Sequence, residues 1–427
     1  MTVSQIISGN VNEMSGKRVF LFNCVDFPDG MASTAHTRLM IKGLRENNVR
    51  AVLLIPYGDM GSRNNTRLKG HFDGVPFLYL NKTTARPRNL FLSSFQILRG
   101  MLAASLSLVR NRKKIDAVII DTPDFIKYLP VFVVIYFLGI PLFVWSVEKM
   151  SAIKQGSALR GVFSKIGAEL SEAVLPRIAS GYIVISSYLR EFYSKRIDQD
   201  RILVSPILVE RSGNHAAKRE APEFELSHGR FRDKKMILYS GSFGEKDGVD
   251  YILKAFGIAH QVFPNTLLVM TGKPFHERSL EPIRRLMDEL GVSEHVDMPG
   301  LLDRDNLNEY TRAASVLLVC RTKSEFSQYG FPWKLGEYCL TGKPIVATDV
   351  GDLRKYFTNG EHLFFAEPEN PASIAQTMIE IFSDYSRALE IGENARRRAS
   401  EIFDYRWQMS ILAEFLANGL ASRWRLT

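Results

Sequence analysis

Residues 321–352 hold the spacing with the most chemistry in it. Gly330 and Pro332 form a loop that opens a short helix over Lys334–Leu340 carrying Glu337; Gly342-Lys343-Pro344 ends that helix, and Pro344–Thr348 reads as a buried strand. Backbone N–H groups left over at a helix N-terminus, with the helix dipole behind them, favour an anion, so this loop predicts a phosphate site. Glu337, about a turn and a half into the helix, would hold a ribose diol beside the phosphates. An ordinary loop–helix–strand unit has the same spacing.

Two cations fall at matching places. Gly241-Ser-Phe-Gly-Glu-Lys-Asp-Gly-Val-Asp follows a strand and opens a helix, with G-x-x-G spacing rather than the dinucleotide fingerprint. Lys246 in that loop and Arg321 after another strand would converge where the helix of Glu337 begins, which suits a diphosphate. Taken singly, each also suits a solvated surface charge. Two Asp-x-Asp triplets, Asp198/Asp200 and Asp303/Asp305, could suggest a metal-dependent transferase. The second precedes a helix, where capping is the ordinary job, and the first sits in a turn before a strand. No His-Glu-x-x-His or comparable spacing occurs, so no metal and no cofactor are expected. In the first half, the loop Asp26–His36, with Gly30, and Glu148 after the strand Leu142–Trp145 are candidates for an acceptor side. His36 and Glu148 equally suit structural roles.

The elements that must position these groups alternate between strand and helix. Arg18–Asn23, Ala51–Pro56, Ala117–Asp121 and Gly181–Ser186 read as strands of one sheet, and Met236–Gly241, Thr266–Gly272, Ser315–Cys320 and Pro344–Thr348 as strands of another. Helices are predicted over Ser33–Asn48, Val249–Phe263, Leu280–Leu290 and Asp305–Ala314, and the stretch from Asp384 is helical in pattern. Continuous Val/Ile/Leu runs between helices predict parallel sheets covered on both faces, with ligands beyond the strands' carboxyl ends. A length of 427 residues suggests two domains, and Pro206–Lys235, polar and without periodicity, reads as the linker. The apolar run Tyr128–Ser146 is long enough to span a membrane, but Pro130 and Gly139-Ile-Pro141 predict a helix of about ten residues and a strand instead.

These motifs carry a resemblance. Gly241…Lys246-Asp-Gly-Val-Asp, Thr271-Gly-Lys-Pro, Arg321, Pro332-x-Lys-x-x-Glu-Tyr and Gly342-Lys-Pro-x-Val-Ala-Thr-x-x-Gly resemble the nucleotide-binding domain of retaining glycosyltransferases of family 4, over about residues 235–405. The first half is similar mainly in pattern. The resemblance implies the GT-B fold: α/β, two Rossmann-like domains with parallel sheets facing a central cleft, residues 1–206 for the acceptor and 207–405 for the nucleotide sugar. A C-terminal helix, 406–427, would return to the first domain. It implies that Glu337 is the second glutamate of an E-x7-E motif and holds the ribose. Lys246 and Arg321 would bind the diphosphate and do the catalytic work. Ser242, Gly244, Tyr329, Gly330, Phe331, Lys334 and Leu335 complete the donor side, with loop 329–332 meeting the sugar through backbone groups. Three positions depart from the pattern. Tyr329 stands where the first glutamate belongs, with Glu325 nearby; Ser242 replaces an arginine; and no histidine follows Ala117–Asp121. The implied reaction moves a hexosyl unit from a nucleoside diphosphate sugar to a glycan or lipid-linked acceptor with retention, in surface polysaccharide or glycolipid synthesis. A non-catalytic nucleotide-sugar binder and a nucleotide-sugar 2-epimerase are the alternatives on the same fold; the second half lacks the acid/base cluster the epimerase would need.

Charge is uneven. Residues 1–206 hold 27 Lys and Arg against 15 Asp and Glu, a charge of +12, while the rest hold 28 against 31, a charge of −3. Lys82, Arg86, Arg88, Arg99, Arg110, Arg112, Lys113 and Lys114 occur before any acid, around an apolar helical stretch from Leu90 to Leu102. Such a segment suits an anionic membrane surface as well as a core-packed helix with solvated ends. No recognisable module supports nucleic-acid binding. Three scattered cysteines and the lack of a basic, then apolar, N-terminal run predict a cytoplasmic protein without a signal peptide, and the basic first half would make it peripheral on the inner face of the membrane.

Overall fold

The computed structural model describes residues 14–30, 32–58, 66–152, 159–211, 233–272 and 280–421. Described residues up to Leu208, together with those from Phe403 onward, form one compact unit, and Val209–Ile402 form another. Most of the expected linker, 212–232, and Lys273 and Pro274 of one motif lie outside the described residues.

In the first unit the chain runs β1 (Arg18–Phe22), α1 (Ala32–Glu46), β2 (Arg50–Ile55), β3 (Lys69–Phe72), β4 (Val75–Tyr79), α2 (Leu90–Asn111), β5 (Ala117–Asp121), α3 (Phe125–Leu138), β6 (Leu142–Ser146), α4 (Leu159–Ile178), β7 (Gly181–Val184), α5 (Ser187–Ser194) and β8 (Ile202–Val204). The sheet order is β3-β4-β2-β1-β5-β6-β7-β8, parallel except for the β3–β4 pair. Strands β6 and β7 are buried along their whole length, as apolar runs covered on both faces must be. The β3–β4 hairpin turns at Asp73-Gly74, both with positive φ (46° and 75°), the backbone a two-residue hairpin loop requires. Helix α3 is longer than Pro130 suggested. Asp124 caps it, its Oδ1 accepting from the Lys127 N–H at 3.2 Å, so Pro130 falls inside a helix of 14 residues. Gly139, at φ 60°, ends it.

The second unit runs β9 (Lys235–Gly241), α6 (Val249–Val262), β10 (Thr266–Gly272), α7 (Glu281–Glu289), β11 (Val296–Gly300), α8 (Arg304–Ala313), β12 (Val316–Val319), α9 (Glu325–Tyr329), α10 (Trp333–Leu340), β13 (Ile345–Thr348), α11 (Leu353–Tyr356), β14 (Phe364–Ala366), α12 (Pro371–Ser383) and α13 (Tyr385–Ile402). Its order, β11-β10-β9-β12-β13-β14, is parallel throughout. The chain winds outward one way from β9 and the other way from β12, so a crevice opens between their carboxyl ends. The core beneath, with Ile237, Tyr239, Phe256, Leu268 and Leu318, is fully buried.

The last helix, α14 (Tyr405–Ala421), belongs to the first unit and packs on α1. A Cβ on Gly43 would come within 2.6 Å of Met409, and the Tyr405 hydroxyl donates to Glu46 at 2.7 Å.

Candidate functional site

The loops at the carboxyl ends of β9 and β12 are tied to each other and to β13. After β9 the chain passes Ser242 and Gly244, makes one 3-10 turn over residues 245–247, and enters α6 through Gly248 at φ 57°. The carbonyl of Lys246 accepts from the Thr322 N–H at 3.1 Å. The Arg321 N–H donates to Thr348 Oγ1 at 2.7 Å, and that hydroxyl donates back to the Arg321 carbonyl at 2.9 Å. Strand β10 comes so close that a Cβ on Gly272, whose φ is 140°, would lie 1.7 Å from the Gly241 carbonyl oxygen. Only glycine fits there.

Three cations gather on this frame around one acid. Lys246 Nζ sits 4.4 Å above the Phe326 ring, and Arg321 Nη1 donates to the Ser327 carbonyl at 3.4 Å. Lys334 reaches back from the first turn of α10; its ammonium donates to the Ser240 carbonyl and lies 4.4 Å over the Tyr239 ring. Asp247 is buried beneath them. Its carboxylate accepts from Ser242 Oγ at 2.5 Å and from the Gly244 N–H at 3.4 Å. Burial pushes its pKa up, but the charges of Lys334, Lys246 and Arg321 and the Ser242 hydrogen bond outweigh that, leaving it below the usual carboxylate value. Burial lowers Lys334 to about 8; Asp247 opposes the shift, while Arg321 and Lys246 add to it. The four groups therefore act as one electrostatic cluster with a surplus of positive charge, which is what a diphosphate requires.

The other expected donor residues surround it. Gly330 leaves room for the Arg321 guanidinium, whose nitrogens would be 3.5 and 3.6 Å from a Cβ there. Tyr329 is half-buried at the end of α9. Phe331 and Leu335 are core side chains, Phe331 packing edge-on against Tyr356 at 5.5 Å, so only their backbone is available to a ligand. Glu337 is exposed on α10 one turn beyond Lys334, and i, i+3 residues share a helix face. Glu325, also exposed, begins α9. The sequence reading assigned no role to Asp247, Phe326 or Tyr239. Asp247 carried a signal, an acid next to a loop lysine between two glycines; the two rings carried none.

The expected acceptor-side residues lie in the first unit. A Cβ on Gly30 would strike Thr34 Oγ1 at 2.0 Å and the Asp26 carbonyl at 2.3 Å, so the loop folds tightly onto the start of α1. His36 lies in α1 rather than in a loop, 3% exposed and edge-on to Trp145 at 4.9 Å. Burial lowers its pKa to about 3, and the ring is a neutral core group. Glu148 is half-buried after β6. Its charge, after burial, helps raise Asp121 at the end of β5 to about 6, against hydrogen bonds from Asn23 and Thr122, both at 2.7 Å. Asp303 caps α8, accepting from the Asn306 N–H at 2.9 Å, whereas the Asp198 side chain makes no cap bond. Among the described residues no group of three His, Cys, Asp or Glu side chains is placed to hold a metal.

Residues 221–398 match the family model described as glycosyl transferases group 1. A D-inositol 3-phosphate glycosyltransferase of Acidothermus cellulolyticus is 26% identical over 288 residues, 64% of this chain and 60% of that protein. A GDP-mannose-dependent alpha-(1-6)-phosphatidylinositol monomannoside mannosyltransferase of Mycobacterium tuberculosis is 23% identical over 275 residues, 60% of this chain and 66% of that protein. The matches thus span less than two thirds of these relatives. The Anabaena protein HepE, solved in complex with UDP and glucose, superposes with a TM-score of 0.71 at 15% identity, over 94% of this chain and all of that one. The fold is GT-B.

Proposed function

We propose that this chain, a GT-B protein of the glycosyltransferase family 4 type, moves a hexosyl unit from a nucleoside diphosphate sugar to a glycan or lipid-linked acceptor with retention of anomeric configuration. The observation that carries the reading is the gathering of Lys246, Arg321 and Lys334 around Asp247, at the crevice between β9 and β12. As the bond from the anomeric carbon to the diphosphate breaks, positive charge grows on the sugar and negative charge on the departing phosphate. Cations already fixed by Ser240, Ser327 and the Tyr239 and Phe326 rings stabilise that charge without reorganising. The acceptor oxygen bonds the anomeric carbon on the face being vacated and its proton passes to the leaving phosphate, giving a glycoside and a nucleoside diphosphate. In this reading neither a strong protein base nor a metal is required. Glu337 grips the ribose, the second unit holds the donor and the first unit the acceptor. The named activity of the mycobacterial relative, on a phosphatidylinositol monomannoside, supports a glycolipid setting over a polysaccharide one.

A nucleotide-release assay across a panel of nucleoside diphosphate sugars tests this, with the product's anomeric proton coupling reporting stereochemistry. Release that depends on acceptor, with retained configuration, is expected. Saturable binding without any release would instead make the chain a nucleotide-sugar binder, the reading that Tyr329 in place of the first glutamate would favour.

A further inference from the structure

Helix α2 is apolar on both sides. Toward the protein it presents a narrow buried face of Ser93, Gly100, Met101, Ala104, Ser105 and Leu108. Outward it presents Phe91, Phe95, Leu98, Leu102, Leu106 and Val109, at helical spacing along one face, with Phe91 81% and Phe95 61% exposed. That stripe is about 27 Å long. The helix has no freedom to roll these groups inward, since a Cβ on Gly100 would meet the Pro56 carbonyl oxygen at 2.1 Å.

The neighbours extend the surface. Right-handed crossovers place α2, α3 and α4 on one face of the first unit's sheet; α2 packs on α3, and α3 on α4. Helix α3 exposes Leu129, Val133, Tyr136 and Phe137, the last by 79%, and α4 exposes Val162, Phe163 and Ile166. An apolar face of this extent exceeds what a soluble surface ordinarily carries. Exposed cations frame it: Arg88 before α2, Arg99 along it, and Arg110, Arg112, Lys113 and Lys114 at its end. No acidic residue occurs from 82 to 115.

We propose that the α2–α3–α4 face docks on an anionic lipid bilayer, its Phe and Leu side chains entering the acyl boundary and its lysines and arginines meeting the headgroups. Charge decides for lipid over a second copy of the chain. Both ends of α2 are basic, so pairing this face with itself would set cations against cations in either orientation. The inference adds a surface to the transferase reading but is independent of it, because it is measured by vesicle binding and not by turnover.

The test floats the full chain with phosphatidylcholine vesicles and with equimolar phosphatidylcholine–phosphatidylglycerol vesicles. The wild type should float with the anionic vesicles only, and less as salt rises. Phe91→Ser with Phe95→Ser should lower the partition coefficient at least ~tenfold. Lys113→Gln with Lys114→Gln should lower it roughly fivefold per lysine. All four side chains are exposed, so the melting temperature should not move. Flotation without preference for anionic lipid, or unchanged by both pairs, overturns the proposal. So does sedimentation showing a wild-type dimer that the Phe91/Phe95 pair dissociates.

Discussion

Lys334 makes nucleotide binding depend on pH in a way that can be worked out in advance. Burial holds its folded-state value at about 8, against 10.5 for the free side chain. It is therefore about nine-tenths protonated at pH 7 and about one-tenth at pH 9. A bound diphosphate restores the charge, so binding at higher pH must take up a proton. Between pH 7 and pH 9 the affinity should fall about tenfold, or about 1.4 kcal/mol. Calorimetric titrations in buffers of different ionisation enthalpy should show uptake of about half a proton at pH 8. Lys334→Arg keeps the charge throughout and should bind with a flatter profile; ionisation of the ligand is common to both proteins and cancels in the comparison. The free protein has the opposite dependence. With its folded-state value below 10.5, the unfolded chain holds this proton more tightly, so this group's contribution to stability rises as pH climbs from about 8 to about 10.5 and is flat above that. A wild-type affinity that is flat from pH 7 to 9, or that falls with the same slope in Lys334→Met, would refute the reasoning.

Three further outcomes follow from the same cluster. Asp247→Asn leaves three cations without their buried counter-charge and should cost about 3 kcal/mol, lowering the melting temperature of a unit this size by about 6–12 °C in calorimetry. Saturating nucleoside diphosphate should recover more of that loss than it adds to the wild type. Lys246→Ala and Glu337→Ala should each reduce turnover at least ~tenfold with unchanged circular dichroism, because both side chains are partly or fully exposed and neither supports the core. Gly272→Ala forces a methyl into the Gly241 carbonyl at a φ that L side chains rarely adopt, so it should lower the melting temperature and abolish nucleotide binding together.

Much of the fold was legible because parallel strands buried on both faces are written as continuous apolar runs. Thr266–Gly272 and Ala117–Asp121 have the ends the sequence predicts. Shorter elements carry too little signal: β11 and β14 have five and three residues, and Val296-Asp-Met-Pro-Gly has no strand-like run. The β3–β4 hairpin carried its turn signal at Asp73-Gly74 and was passed over because its first strand, Lys-Gly-His-Phe, is polar and mostly exposed. At the site, glycine spacing and strand-end position pointed to Lys246 and Arg321. What spacing did not reveal is how Lys334 is used, because the groups it meets, the Ser240 carbonyl and the Tyr239 ring, lie nearly a hundred positions away, and the burial that lowers its pKa comes with that packing. His36 shows the opposite failure. A histidine just past a strand-end loop looks available, and only the packing of α1 against Trp145 shows that it is core.

The central claim is that one pocket at the ends of β9 and β12 takes a diphosphate. A crystal structure of the full chain with a nucleoside diphosphate tests it most directly. The phosphates should lie against Lys246, Arg321 and Lys334, with the ribose hydroxyls on Glu337. A nucleotide bound elsewhere, with those three side chains left in contact only with protein, would contradict it.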